Sequence, residues 1–199
     1  QNRSYSKKYL NLVNKIKQID NNKSKKLTKA IAESLVKLLA YKDEYEVSRL
    51  YSKKEFKQNI SKTFEGNYKL RFYLAPPIIS LRDKFSGIVK KRAFGSWVLI
   101  LFSILSKLKF LRGSIFDIFS YSKERKLERL LIEDFIETIE IIVNNINKEN
   151  YSIMLNLAKL PLMVRGFGHV KIKNIENYYI QKEEILTKLN KDNSKLNAA

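Results

Sequence analysis

The chain has no cysteine in 199 residues. That excludes disulfides, thiolate zinc sites, iron–sulfur ligation by this segment and a thiol nucleophile. It has one histidine, His169, so neither a histidine-rich metal site nor an HExxH zinc centre can form. His169 stands open as a general base or, more commonly for a lone histidine after a glycine turn, as a hydrogen-bonding or packing residue. Glycine and proline number six and three, and there is no phosphate-cradling glycine loop: Arg165-Gly-Phe-Gly-His169 is shorter than the dinucleotide and P-loop patterns. Acidic residues are scarce, 20 against 39 basic. The neighbouring carboxylates Asp43/Glu44 and Glu183/Glu184 point in different directions on a helix, which suits solvation better than acid–base work. Long apolar runs are missing as well. The longest uncharged run, 93–106, has 14 residues, short of the roughly 20 a membrane span needs. The first residues, Gln1-Asn-Arg-Ser-Tyr5, hold no initiator methionine and no apolar signal core, so the expectation is a piece of a longer polypeptide.

What is present is charge of one sign and enough apolar material for a core. The net charge is +19 and the hydrophobic fraction 44%. Such a balance points to an anionic partner, or else to a lysine-biased, solvated surface, since 30 of the 39 cations are Lys. The arginines carry more information, because Arg is used where planar, bidentate contacts are needed.

Hydrophobic periodicity predicts a mainly α fold of about six to seven helices with one small β-hairpin at about 67–94. Helices are expected over 5–19, 26–50, 53–64, 97–111, 122–147, 151–160 and 172–189. Residues 68–74 alternate as a half-buried strand, 83–87 read as a turn, and 88–94 as the returning strand. Residues 97–111, apolar nearly all round until Lys107, read as the central core helix, with Ser96 as its N-cap. The loop after it packs Ile115, Phe116, Ile118 and Phe119 into a few residues and is expected to plug into a core before Ser122 caps the next helix. By domains, 1–24 is an N-terminal helix and linker, 25–189 a single helical domain and 190–199 a disordered polar tail.

Candidate contact residues follow from this layout. Lys42, Glu46 and Arg49 fall at helical spacing and address a partner or form surface ion pairs. Arg112-Gly113 and Arg165-Gly166 each put an arginine beside a flexible glycine and close to aromatics, to tie a loop to a helix end or to grip a carboxylate or phosphate. Asp117, Arg125, Arg129, His169 and Lys171 lie in the same two blocks. The set is read as interface or anion contacts, and no catalytic or metal-ligating residue is assigned.

Several blocks taken in order carry a family resemblance: Leu38-Leu-Ala-Tyr-Lys-Asp-Glu-Tyr-Glu-Val-Ser-Arg-Leu50; Phe64-Glu-Gly-Asn-Tyr-Lys-Leu70 running into Leu74-Ala-Pro-Pro77; Lys91-Arg-Ala-Phe-Gly-Ser-Trp97; Leu111-Arg-Gly-Ser-Ile-Phe-Asp-Ile-Phe119; Glu124-Arg-Lys-Leu-Glu-Arg129; and Arg165-Gly-Phe-Gly-His-Val-Lys171. The ordered set resembles the C-terminal domain of the fused indolepyruvate ferredoxin oxidoreductases, members of the 2-oxoacid:ferredoxin oxidoreductase family. Where that family tends to have Pro–Phe–Gly after its Phe–Asp, Ile118-Phe-Ser120 stands here. The resemblance implies an accessory domain of a cytoplasmic enzyme that decarboxylates an aryl-pyruvate oxidatively, forms an acyl-coenzyme A and reduces ferredoxin. Its thiamine diphosphate, Mg2+ and 4Fe-4S clusters would belong to other domains, and coenzyme A would be a co-substrate. The implied partners are the other domains of the polypeptide, a homodimer mate and ferredoxin, with no membrane. The competing expectation is a stand-alone basic helical module that binds nucleic acid.

Overall fold

A computed structural model describes residues 3–75, 91–166 and 168–196. Their order is α1 (Arg3–Ile19), α2 (Lys26–Leu39), α3 (Glu44–Ser52), α4 (Lys54–Thr63), β1 (Phe72–Leu74), β2 (Arg92–Phe94), α5 (Val98–Lys107), α6 (Lys123–Asn145), α7 (Tyr151–Lys159) and α8 (Gly168–Leu196). Single 3-10 turns follow α5 (Leu108–Leu111) and α7 (Leu160–Met163). The protein is mainly α with one small antiparallel hairpin, as the periodicity predicts. The expected turn at 83–87 lies outside the described residues. Among the described residues no helix is long and apolar enough to cross a membrane.

The chain forms two compact units: Gln1–Tyr41 with Leu127–Ala199, and Lys42–Lys126.

In the first unit, apolar residues three and four apart give each helix one buried stripe. Leu27, Ile31, Leu35 and Leu38 line α2, Leu131, Phe135, Ile139 and Ile142 line α6, and α7 adds Met154 and Leu157. Helix α8 brings Ile175, Tyr178 and Leu189 to the same core. It begins before the expected 172 and runs past 189 to Leu196.

The start of α2 shows how this unit ties its ends. Its N-cap, Lys25, has φ 48° and no capping side chain. Asp20, fully buried, supplies the cap from a distance. It accepts from Thr28 N at 2.9 Å, Thr28 Oγ1 at 2.8 Å, Asn22 N at 3.2 Å and Tyr151 Oη at 3.2 Å. Burial raises the Asp20 pKa, but these donors together outweigh it and hold the carboxyl below its ordinary 3.8. A carboxylate with a lowered folded pKa stabilises above its unfolded value and loses that contribution as pH falls through the folded value. The parent chain should therefore lose more stability between about pH 7 and about pH 3 than an Asp20→Asn chain does. Urea midpoints at the two pH values test this, and equal losses would refute it.

The second unit corrects three expectations. The helix over 26–50 is two helices. Alpha2 ends at Leu39, and Asp43, in extended backbone (ψ 179°), starts α3 by accepting from Glu46 N at 2.8 Å. Trp97, without a side-chain cap bond, stands at the N-cap of α5 in place of Ser96. Nor is α5 a core helix, for only Val98 and Phe102 are buried on it. They join a small aromatic core in which the Tyr51 ring stacks on Phe102 (5.3 Å, 17°) and meets Phe72 and Phe56 edge-on at 5.4 and 4.9 Å. Beside it, two three-residue strands pair Phe72 with Phe94, Tyr73 with Ala93 and Leu74 with Arg92.

Candidate functional site

Three of the blocks singled out in sequence meet in the second unit. The turn after α5 reverses at Gly113, whose φ of +76° is natural to glycine. From there Arg112 reaches the start of α3: its Nε and Nη2 donate to Asp43 Oδ2 and Oδ1 at 2.5 and 2.8 Å. Its Cζ lies 6.0 Å from the centre of the Tyr45 ring. Asp43 thus caps α3 and receives a forked arginine with its carboxylate almost wholly enclosed, at 4% exposure. Asp117 is enclosed too and accepts from Gly113 N at 2.8 Å and Tyr45 Oη at 3.2 Å. Burial, with Asp117 beside it, pushes the Tyr45 hydroxyl up to about 12, so it remains a donor. Phe119 meets Tyr45 edge-on at 5.3 Å. The third tie joins α6 to α3, with Arg125 Nε 3.5 Å from Glu44 Oε2, an ion pair with no hydrogen bond at those two atoms. Burial raises the Glu44 carboxyl even though Arg125 lies beside it.

The other candidates are placed as follows. Glu46 and Arg49 form a two-point pair within α3, at 2.8 and 2.6 Å. The hydrogen bond to Arg49, with its charge, holds the Glu46 carboxyl below its ordinary value. Lys42 is exposed in the link before α3, so it does not share a helix face with Glu46. Arg129 lies half-buried on α6. In the first unit, Lys171 pairs with Glu128, which is nearly enclosed. Arg165 Nε donates to Leu162 O at 3.2 Å, and Lys37 Nζ donates to the same carbonyl at 2.5 Å. Burial depresses the Lys37 ammonium, and the nearby Arg165 and Lys171 charges add to this. His169 is exposed in the first turn of α8. The two Arg-Gly turns belong to different compact units.

Sequence reasoning missed the partners Asp43 and Glu44. It read them as a solvated pair, whereas Asp43 is enclosed and Glu44 half-buried. The available signal was local: an aspartate followed by Glu44-Tyr-Glu46 is a helix N-terminus, where an acidic side chain finds backbone donors and a favourable dipole. The same ties correct the reading of the 115–119 loop as a plug. Asp117 and Phe119 point inward, and the residues between and before them point out. Ile115 is 78% exposed, Phe116 68% and Ile118 56%.

The glycines of the two turns make separable predictions. At Gly113 an added Cβ meets nothing within 4 Å. Gly113→Ala should therefore cost only the left-handed backbone penalty, about 1–2 kcal/mol. At Gly166, with φ +89°, the added Cβ would also stand 2.8 Å from Val170 Cγ1, so Gly166→Ala should cost more. Thermal melts of the two variants test this order.

Among the described residues no group of three or more His, Asp or Glu is placed to hold a metal ion. What the site offers chemically is cations and carboxylates neutralising one another around a loop whose apolar side chains face solvent. A protein-family model described as a family of unknown function (DUF6537) matches residues 1–184. The chain belongs to that family. No curated protein and no solved structure matches it.

Proposed function

We propose that this DUF6537 chain is a non-catalytic accessory domain of a thiamine-diphosphate-dependent 2-oxoacid:ferredoxin oxidoreductase of the indolepyruvate type. The ordered blocks that resemble such enzymes support the reading. The observation that carries it is how three of those blocks use their charges. Arg112 of the second pairs with Asp43 of the first, and Arg125 of the third with Glu44 of the first, while Asp117 of the second accepts from Tyr45 Oη and Gly113 N. Side chains committed to buried internal pairs hold a shape rather than turn over a substrate.

The residues do not fit the enzyme's cofactors. A chain without cysteine cannot ligate a 4Fe-4S cluster by thiolates, and the described residues gather no carboxylate group for Mg2+. Thiamine diphosphate, the metal and the clusters are assigned to other domains of the polypeptide, and no step of the reaction is assigned to this chain.

The test is an assay of the polypeptide as the cell makes it. Reduction of ferredoxin or a viologen dye that depends on an aryl-pyruvate and coenzyme A supports the reading. A polypeptide without that activity overturns it. The basic nucleic-acid module remains the other reading, resting on the net charge of +19. It would show as tight DNA or RNA binding that weakens steeply with salt.

A further inference from the structure

The second unit leaves a large apolar surface uncovered. From the N-cap of α5 onward, Trp97, Ile100, Leu101 and Ile104 recur at i, i+3, i+4 and i+7, and all four are exposed. This is the stripe opposite the buried Val98 and Phe102. The chain then presents Phe110 (74% exposed), followed by Ile115, Phe116 and Ile118. The loop is not loose. Its backbone turns back on itself through Asp117 N→Ser114 O at 3.1 Å and Ser120 N→Asp117 O at 3.0 Å. Tyr121 Oη closes it on Ile115 O at 3.1 Å. A rigid loop that holds large apolar side chains in water is arranged for a partner, since such surfaces on soluble proteins mark interaction sites.

The charges around this stretch select the partner. Lys91, Arg92, Lys107, Lys109 and Lys123 bracket it and are exposed. The one carboxylate between residues 91 and 123, Asp117, is enclosed. Along the chain, this apolar stretch is therefore flanked by exposed cations and carries no exposed carboxylate. Two copies meeting through it would set like charges against one another, so a second copy of this chain is the wrong occupant. An apolar surface rimmed by Asp and Glu is the right one.

We infer that residues 97–121 dock on an apolar, acid-rimmed surface of another domain of the same polypeptide. This inference rests on the accessory-domain reading, which supplies the tether. A tethered partner competes at an effective concentration on the order of millimolar, ahead of a lipid surface or a free protein.

The experiment places a photo-crosslinker at the face, Phe116→p-benzoylphenylalanine and separately Ile100→p-benzoylphenylalanine, in the polypeptide as the cell makes it. A cross-link to a segment of the same polypeptide outside these 199 residues, apolar and flanked by Asp or Glu, supports the inference. So does a several-fold fall in the Ile100 cross-link on adding Phe116→Asp, an exposed change that leaves the melting temperature in place. A cross-link to a second copy, one confined to these residues, or none at all overturns it. Binding to phosphatidylglycerol vesicles that is lost with Phe116→Asp also overturns it, in favour of a membrane surface. The two readings fail separately. An active oxidoreductase that gives no such cross-link sinks the docking face alone, and the cross-link in a polypeptide without that activity sinks the enzyme reading alone.

Discussion

An Arg112→Ala chain should unfold at a much lower temperature than the parent. The substitution leaves the Asp43 carboxylate, 4% exposed, without the guanidinium that now meets both its oxygens. Removing one partner of an enclosed pair costs about 3–5 kcal/mol, because an uncompensated charge stays behind. Arg112 is 23% exposed, so water recovers part of that loss, and about 3 kcal/mol is the expected size. For a unit of this length that corresponds to a fall of roughly 10–20 °C in the transition of the second unit. Asp43 also caps α3, so Asp43→Ala should cost about 1 kcal/mol more than Arg112→Ala. Calorimetry of the two single variants and the double variant measures the coupling. A loss under about 0.5 kcal/mol for Arg112→Ala would class the pair with ordinary surface ion pairs and remove the keystone of this unit.

The second large effect lies in the other unit. Asp134 on α6 accepts from Tyr178 Oη at 2.6 Å and Lys182 Nζ at 2.7 Å, both on α8. Tyr178 is fully buried and Lys182 nearly so. Burial, with Asp134 beside it, drives the Tyr178 hydroxyl far above its ordinary value, so it never gives up the donor proton that Asp134 uses. Asp134→Ala strands an ammonium and removes that acceptor from a buried hydroxyl, an expected loss of about 3–5 kcal/mol. Asp134→Asn keeps an acceptor and should lose less. The informative variant is Asp134→Leu with Lys182→Met. Removing both charges together is often near-neutral, so it should recover the part of the Asp134→Ala loss that comes from the stranded Lys182 ammonium, while the Tyr178 hydroxyl still lacks its acceptor. Guanidinium midpoints rank the three, and a double variant no better than Asp134→Ala would mean that the pair is not what links α6 to α8.

Much of the fold was legible because helical periodicity reports burial directly. Leu27, Ile31 and Leu35, or Leu131, Phe135 and Ile139, could only be a stripe facing a core. The break at 40–43 was not legible in that way, since periodicity runs straight through it. It exists because Asp43 finds backbone donors of α3 and the guanidinium of Arg112, a residue distant in sequence. Helix α5 misled for a related reason. Apolar composition says that a side should be covered, not by what, and Ile100 and Ile104 face solvent in this chain. At the candidate site, Arg112 and Asp117 stood out in sequence, but their roles did not, because those depend on Asp43 and Tyr45 about 70 residues away.

The central claim, a domain whose enclosed carboxylates are partnered internally and whose apolar face meets the rest of the polypeptide, is tested most directly by hydroxyl-radical footprinting of the polypeptide as the cell makes it. Phe64 and Tyr73, 57% and 63% exposed, serve as internal controls in the same unit. The account predicts that Phe110 and Phe116 are oxidised several-fold more slowly than Phe64 despite greater exposure in this chain. Oxidation of Phe110 and Phe116 at the rate of Phe64 would contradict it.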